Sequence, residues 1–250
     1  MKAIKWSIIL LLTCVVACTQ APETLVAALE NFTPSSSSGY EIKHTYYTIS
    51  YSSTHRQAEF AFYYLSPQSI NGGVTRTDNF RIDPFVKDNP VNSNAYVGCG
   101  YDRGHLCPAA DMALNETAMS ETFYMSNISP MIPTFNRGIW SKLEEWFRTS
   151  AISKGGMYVA TGPILNAQCG TISGSITIPC SFYKIAFKNG NNPQMIGFKL
   201  SNNGSTSPLK SYVVSIDEIE QITGIDFFPQ LTDSLEKQLE SQVNLAGWNL

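Results

Sequence analysis

An α+β domain, with a largely antiparallel sheet and packed helices, is what the 250-residue sequence predicts. Three observations carry that expectation. Short runs dense in Tyr, Phe, Ile and Thr recur between residues 42 and 215, the composition of half-buried strands. One long stretch, residues 137–153, instead spaces Ile139, Trp140, Leu143, Trp146 and Phe147 three and four apart, the stripe of a helix packed on one side. Hydrophobic residues make up 43% of the chain and charged residues only 15%; this supplies a core and excludes both a disordered chain and a long solvated helix. Outside the N-terminus no apolar run reaches the roughly 18 residues of a membrane span, so a polytopic membrane protein is excluded as well.

The first residues read as a targeting segment. Lys2 and Lys5 precede an apolar run over 8–16, which ends Val15-Val16-Ala17-Cys18. A basic start, a short apolar run and small residues mark a secretory signal in residues 1–17. The cysteine after Val-Val-Ala is similar to a bacterial lipobox, so the expectation is cleavage before Cys18 and lipidation of its thiol. The product would be an exported lipoprotein anchored at the bacterial cell envelope. A secreted protein cut a few residues later is the alternative, and an uncut span is disfavoured by the shortness of the run. Residues 1–17 hold two lysines and no acid, so cleavage takes the formal charge from −3 to −5. That balance disfavours a protein that wraps nucleic acid broadly, but it leaves room for a local basic cleft. Residues 18–39 are polar and end Pro34-Ser35-Ser36-Ser37-Ser38-Gly39, the composition of a flexible tether, which leaves 40–250 as one continuous domain.

Within that domain strands are expected over 42–51 and 58–65. Residues 66–100, rich in Asn, Asp, Gly and Pro without periodicity, read as loop. Asn115 is a good helix cap, so a helix should run from there to Phe123, and Gly155-Gly156 should end the long helix. Strands then follow over 157–161, 172–178, 182–187, 195–200 and 211–215, with short helices over 217–222 and 231–243. No internal repeat is visible.

Of six cysteines, Cys14 lies in the signal and Cys18 at its end. Cys99, Cys107, Cys169 and Cys180 remain as disulfide candidates in an exported chain. Three pairings are possible, of which 99–107 and 169–180 close the shortest loops. A metal site from Cys99, His105 and Cys107 matches no standard zinc spacing.

The chemistry concentrates between Asp102 and Glu144. Among three histidines, His44 and His55 sit in or beside aromatic, strand-like segments and read as structural or surface residues. His105 stands in Asp102-Arg103-Gly104-His105. There the glycine permits close backbone approach to a ligand, a guanidinium can grip phosphate, and an imidazole can take a proton from water. Met125-Ser126-Asn127-Ile128-Ser129-Pro130 follows, then Asn136-Arg137-Gly138-Ile139-Trp140 and Glu144. On one helix Asn136 and Glu144 would lie ~80° and ~12 Å apart, able to border one cleft. Taken singly, Asn136 is a helix cap and Glu144 an exposed acid. The absence of G-x-S-x-G argues against a serine hydrolase.

Together these motifs resemble the DNA/RNA non-specific endonuclease family, sugar-non-specific nucleases with a ββα-metal active site that include endonuclease G. Residues 159–163, 182–185 and 223–229 carry further likeness, so the resemblance spans about 40–242. It implies a metal-dependent, sequence-blind endonuclease that hydrolyses phosphodiester bonds of DNA and RNA to 5′-phosphate ends. His105 would be the general base and Asn136 the direct ligand of Mg²⁺, with Mn²⁺ possible. Glu144 would hold the metal's water shell, and Arg103 would neutralise phosphate. An upstream arginine braces the phosphate in the family; Arg76 is the better placed by sequence and Arg81 the alternative. Asn127 would support the site from behind, and Asp102 would orient Arg103 or its loop. Two features depart from the family's pattern. Cys107 inside the signature suggests a disulfide beside the active loop, and the low basic content bears on the length of nucleic acid bound. A catalytically weak nucleic-acid-binding protein and a surface scaffold lipoprotein are the competing readings.

Overall fold

A computed structural model describes residues 32–35, 38–166 and 168–250. The signal segment and Cys18 lie outside the described residues. The main sheet has seven strands: β1 (Tyr40–Lys43), β2 (Tyr47–Ser52), β3 (Gln57–Leu65), β6 (Met157–Pro163), β9 (Ser181–Lys188), β10 (Gln194–Ser201) and β11 (Val213–Val214), in that spatial order and antiparallel throughout. Antiparallel neighbours need only short connections, yet β3 and β6 are separated in sequence by some ninety residues. That excursion carries the functional motifs.

Both faces of the sheet are covered, which explains why its central strands are buried on alternating sides. Along β3, Ala61 and Tyr63 join one cluster with Trp140, Leu143 and Phe147, whereas Phe60 and Phe62 join the opposite one with Ile216, Ile219 and Phe228. The period of two along a strand sends neighbours to opposite layers. The first layer is built on helix α3 (Ser141–Lys154), the second on α4 (Ile216–Thr223) and α5 (Asp233–Glu240). The excursion adds α1 (Pro67–Ile70), α2 (Glu116–Glu121), and a two-stranded ribbon of β4 (Asp102–His105) and β5 (Ile128–Met131). Ribbon followed by α3 is a ββα unit.

Several expected boundaries shift, each for a local reason. The run 42–51 is a hairpin of two strands, not one, and 172–178 closes a second hairpin of β7 (Gln168–Ile172) and β8 (Ile176–Pro179). Ser173 and Gly174, at φ 46° and 71°, both take the left-handed conformation that turns it. The long helix begins at Ser141, because Phe135–Trp140 forms a wide π-type turn broken at Gly138. It ends as expected at Gly155, φ 73°. Asn115 caps α2 through a bond from the Ala118 amide. The expected strand 211–215 shrinks to Val213–Val214 after a 3₁₀ turn. Near the N-terminus, Phe32 packs its ring on Tyr158 and Phe187, and Ser35 exchanges bonds with Asp226. The folded body therefore takes in part of the segment read as tether.

The cysteine pairing is half corrected. Cys169 and Cys180 form a disulfide that ties β7 to the end of β8. Cys99 and Cys107 are free thiols. Cys107 is fully buried in the α3-side core, while Cys99 packs against a different cluster around Tyr96 and Ile128. Burial raises the Cys107 thiol pKa well above its ordinary value, aided by the Asp111 charge.

Candidate active site

The β4–β5 ribbon sets the register of the site. Arg103 lies opposite Pro130, Gly104 opposite Ser129 and His105 opposite Ile128. Behind the ribbon Asn127 is fully buried and uses its whole amide. Its oxygen accepts from the Cys107 amide, and its nitrogen donates to the carbonyls of Cys107 and Thr122, each at 2.9 Å. The chain just beyond His105 is thus pinned to the start of β5 and the end of α2. Gly104 has a role other than the one its sequence suggests: a Cβ there would lie 2.3 Å from the Met131 sulfur. It permits close packing across the ribbon rather than approach to a ligand.

His105 is 8% exposed, wedged between the rings of Phe80 and Phe123 at 5.5 and 5.0 Å. Among the described residues its buried Nε2 has no hydrogen-bond partner. Burial first, then the positive charges of Arg76 and Arg103, lower its pKa to about 3. The imidazole is therefore neutral near pH 7. A buried polar atom left without a partner is costly in a folded protein, and one that is a free lone pair on a neutral ring can accept a proton.

Beside it lies a cleft of about 380 Å³, lined by Arg76 and Phe80 from the long loop, by Tyr96, Val97 and Tyr101, and by Asp102, Arg103 and Asn136. Arg103 stacks over Phe80 at 4.0 Å and Arg76 over Phe123 at 4.8 Å. Stacking on aromatic faces holds a guanidinium in place without consuming its donors. Arg76 also meets Asp78 at 2.7 Å. Arg81, the alternative, stacks on Tyr124 and donates to the backbone of Asn79 and Ser120, lining a different cavity.

The side-chain bonds of Asp102 go to residues other than Arg103. Its carboxylate accepts from Asn136 Nδ2 at 3.0 Å and from both ends of the Arg137 guanidinium at 2.8 and 2.6 Å. Burial works against its ionisation, but the bonds from Arg137 and Asn136 outweigh this and hold its pKa below the usual carboxylate value. Because a carboxylate can only accept, it selects the amide nitrogen of Asn136 and leaves Oδ1 as the free end. A neutral oxygen in a cleft that also collects phosphate-binding guanidiniums suits a hard divalent cation, which keeps several waters and takes the rest of its ligands from substrate. The residues present fit such a group.

Glu144 lies in the first turn of α3, and its charged neighbours are Lys184, Asp111 and Arg148. Burial raises its pKa to about 7, against the lowering pull of Lys184, Arg148 and the Trp140 indole. It borders a buried network that sequence reasoning missed. Asp111 accepts from Tyr63 at 2.8 Å and from Arg148 at 3.0 Å, and Lys184 donates to the Tyr63 hydroxyl at 3.1 Å. Lys184 was visible only as part of the family-like run 182–185, and nothing local marks a strand lysine as fully buried. The other two histidines are structural. His44 lies 3.1 Å from Asp83, with both side chains inaccessible, and His55 meets the Thr177 hydroxyl. Asp83 also accepts from Ser126, which ties the long loop to the ribbon. The aromatic walls Tyr96 and Tyr101 and the Asp102–Arg137 pair were missed too. They lie in loop or on an exposed turn, where no periodicity points to them.

The charges limit what this cleft can do. Two arginines draw in an anion, a neutral imidazole takes a proton from water, and an oriented amide oxygen accepts a cation; the class is a hydrolase of phosphate esters. Comparison with known proteins agrees. Residues 27–234 match the family described as DNA/RNA non-specific endonuclease. A nuclease from Nostoc sp. is 30% identical over 79% of this chain and 76% of its own length. Nuclease C1 of Cunninghamella echinulata is 33% identical over 74% and 81%, and human mitochondrial endonuclease G 30% over 74% and 68%. Among solved structures, a chain of the EndoG/EndoGI complex superposes with a TM-score of 0.78 at 25% identity, covering 88% of this chain and 96% of that one. The chain belongs to the DNA/RNA non-specific endonuclease family. It is a phosphodiester hydrolase that cuts DNA and RNA without sequence preference, with a histidine as general base and a divalent metal as cofactor.

Proposed function

We propose that His105 is that base, that Asn136 Oδ1 is the direct protein ligand of the metal, and that the metal is Mg²⁺, with Mn²⁺ able to replace it. The observation that carries this reading is the neutral, buried imidazole with a partnerless Nε2, set within the field of two arginines. His105 takes the proton of the attacking water. Its basicity is low in the free protein, and a phosphate anion between Arg76 and Arg103 removes the part of that depression the two charges cause. Substrate thereby raises the base's strength where it is needed. Arg76 and Arg103 hold the scissile phosphate, and Asp102 keeps the Asn136 oxygen turned outward. Glu144, eight residues beyond Asn136, would hold the metal's waters. When bound, the cation supplies charge stabilisation at the phosphate and its leaving oxygen. The products carry 5′-phosphate and 3′-hydroxyl ends. Since phosphate contacts carry no base identity, cleavage ignores sequence.

The test uses the chain from about residue 20, stripped with EDTA, with supercoiled plasmid and structured RNA. Mg²⁺ restores cutting of both substrates, and His105→Ala abolishes it while retaining the folded circular-dichroism spectrum. Undiminished cutting by the variant removes His105 from its role. We further propose that the mature protein is a lipoprotein carried on Cys18 at the cell envelope. Mass spectrometry of the N-terminal peptide tests this, and an unmodified peptide beginning elsewhere refutes it.

A further inference from the structure

Across the sheet from the cleft, α4 and α5 bring three carboxylates together. Asp217 and Glu220 stand one turn apart on α4, and Glu240 closes α5; their nearest oxygens all lie within 4.8 Å of one another. Acidic groups cluster often without purpose, but Glu240 is unusual. It is only 1% exposed, one of its carboxylate oxygens belongs to the cluster, and among the described residues its Oε1 has no hydrogen-bond partner. Its strongest charge neighbours are Glu220, Glu236, Asp217 and Asp226, all acidic. Glu220 is held in place from the side, because its Oε1 accepts from the Phe227 amide at 2.7 Å. A buried acid with a partnerless oxygen, facing only like charge, is costly unless a cation completes the group.

We infer that Asp217, Glu220 and Glu240 form a divalent cation site, separate from the nuclease cleft, whose preferred occupant is Ca²⁺. The donors decide between the two common hard cations. Three carboxylates converging on one point match calcium's irregular, all-oxygen coordination, whereas Mg²⁺ demands an octahedron and keeps its waters. The ion clamps α5 to α4. Helix α5 has few apolar anchors of its own, with Leu235 and Leu239 half-buried and Glu240 its one fully buried residue.

The experiment measures thermal unfolding and calorimetric titration of the full chain with CaCl₂ or MgCl₂. It uses an Asn136→Ala background to remove the proposed ligand of the nuclease site. One equivalent of Ca²⁺ binds, and Tm rises by about 5–10 °C at a hundredfold excess over Kd, whereas the same concentration of Mg²⁺ leaves Tm unchanged. Glu240→Gln, close in shape, and Asp217→Asn, on the exposed rim and so harmless to folding, each abolish the shift. Both leave nuclease turnover with Mg²⁺ unchanged when Asn136 is intact. Absence of a calcium shift, or a shift that survives either substitution, overturns the site.

Discussion

Two polar groups of residues, the cleft and the buried network under α3, use the same chemical vocabulary and end in opposite states. In the network, Asp111 is met by Tyr63 and Arg148, and Lys184 donates to Tyr63. In the cleft, Arg103 lies on an aromatic face, Asn136 presents its oxygen, and His105 Nε2 has no protein partner among the described residues. His105 is buried like the network, although the arginines beside it are exposed, so for the imidazole the contrast is not one of burial. Internal pairing makes the first a brace between the sheet and α3. Withheld pairing makes the second reactive, because groups left unsatisfied inside a protein gain most when a ligand arrives.

The largest expected effect falls on turnover alone. His105→Ala lowers kcat by about 10²–10⁴-fold, read in initial rates on plasmid DNA, with the urea midpoint little changed; a comparable loss of stability would erase the distinction. The mirror experiment is Asp111→Ala, which strands Arg148 and Lys184 and costs about 3–5 kcal/mol of folding free energy by urea titration. Turnover per folded molecule persists. Asp102→Ala is next: freed of its orienting partner, the Asn136 amide rotates, and the half-saturating Mg²⁺ concentration rises about 10–100-fold with kcat at saturation retained. Glu144 has the charged residues of the network as its neighbours yet is proposed to serve the metal, so Glu144→Gln shows which region owns it. A smaller rise in the metal requirement with an unchanged melting temperature assigns it to the cleft, and the reverse pattern to the brace. The smallest effect is on pH dependence. His105 titrates at about 3 in the fold against about 6.5 unfolded. Above pH 6.5 both states are neutral and contribute no difference. As pH falls from 6.5 toward 3 the unfolded chain binds a proton that the folded one refuses, so stability declines. The urea midpoint of the parent therefore drops more between pH 7 and 5 than that of His105→Ala, and the acid limb of kcat/KM lies below 6.5.

The main lines of the fold were legible because strands and helices answer to local pattern. The aromatic run 58–65 became β3, and the three-four spacing of Leu143 and Phe147 became the buried side of α3. The pattern misled where turns were tight. A hairpin with Ser173 in a left-handed conformation reads as a continuous strand, since serine carries little warning of φ 46°. A π-type turn broken at Gly138 likewise hides inside a helical spacing.

By itself the sequence determined the layers, the ββα arrangement through its resemblance, and the segments that supply Arg76, Asp102, Arg103 and Asn136 to the cleft. These depend on hydrophobic period and on short motifs, both written in neighbouring positions. Only the tertiary structure decided the rest. It separated Arg76 from Arg81, turned Asp102 toward Asn136 and Arg137, gave Gly104 to Met131, and kept Cys99 and Cys107 apart in different cores. It also buried Lys184 and brought Glu240 to Asp217 and Glu220. Each of these is a meeting of side chains distant along the chain or turned by the backbone between them. Distance and direction in space, not residue type, set their hydrogen bonds and the charges they feel.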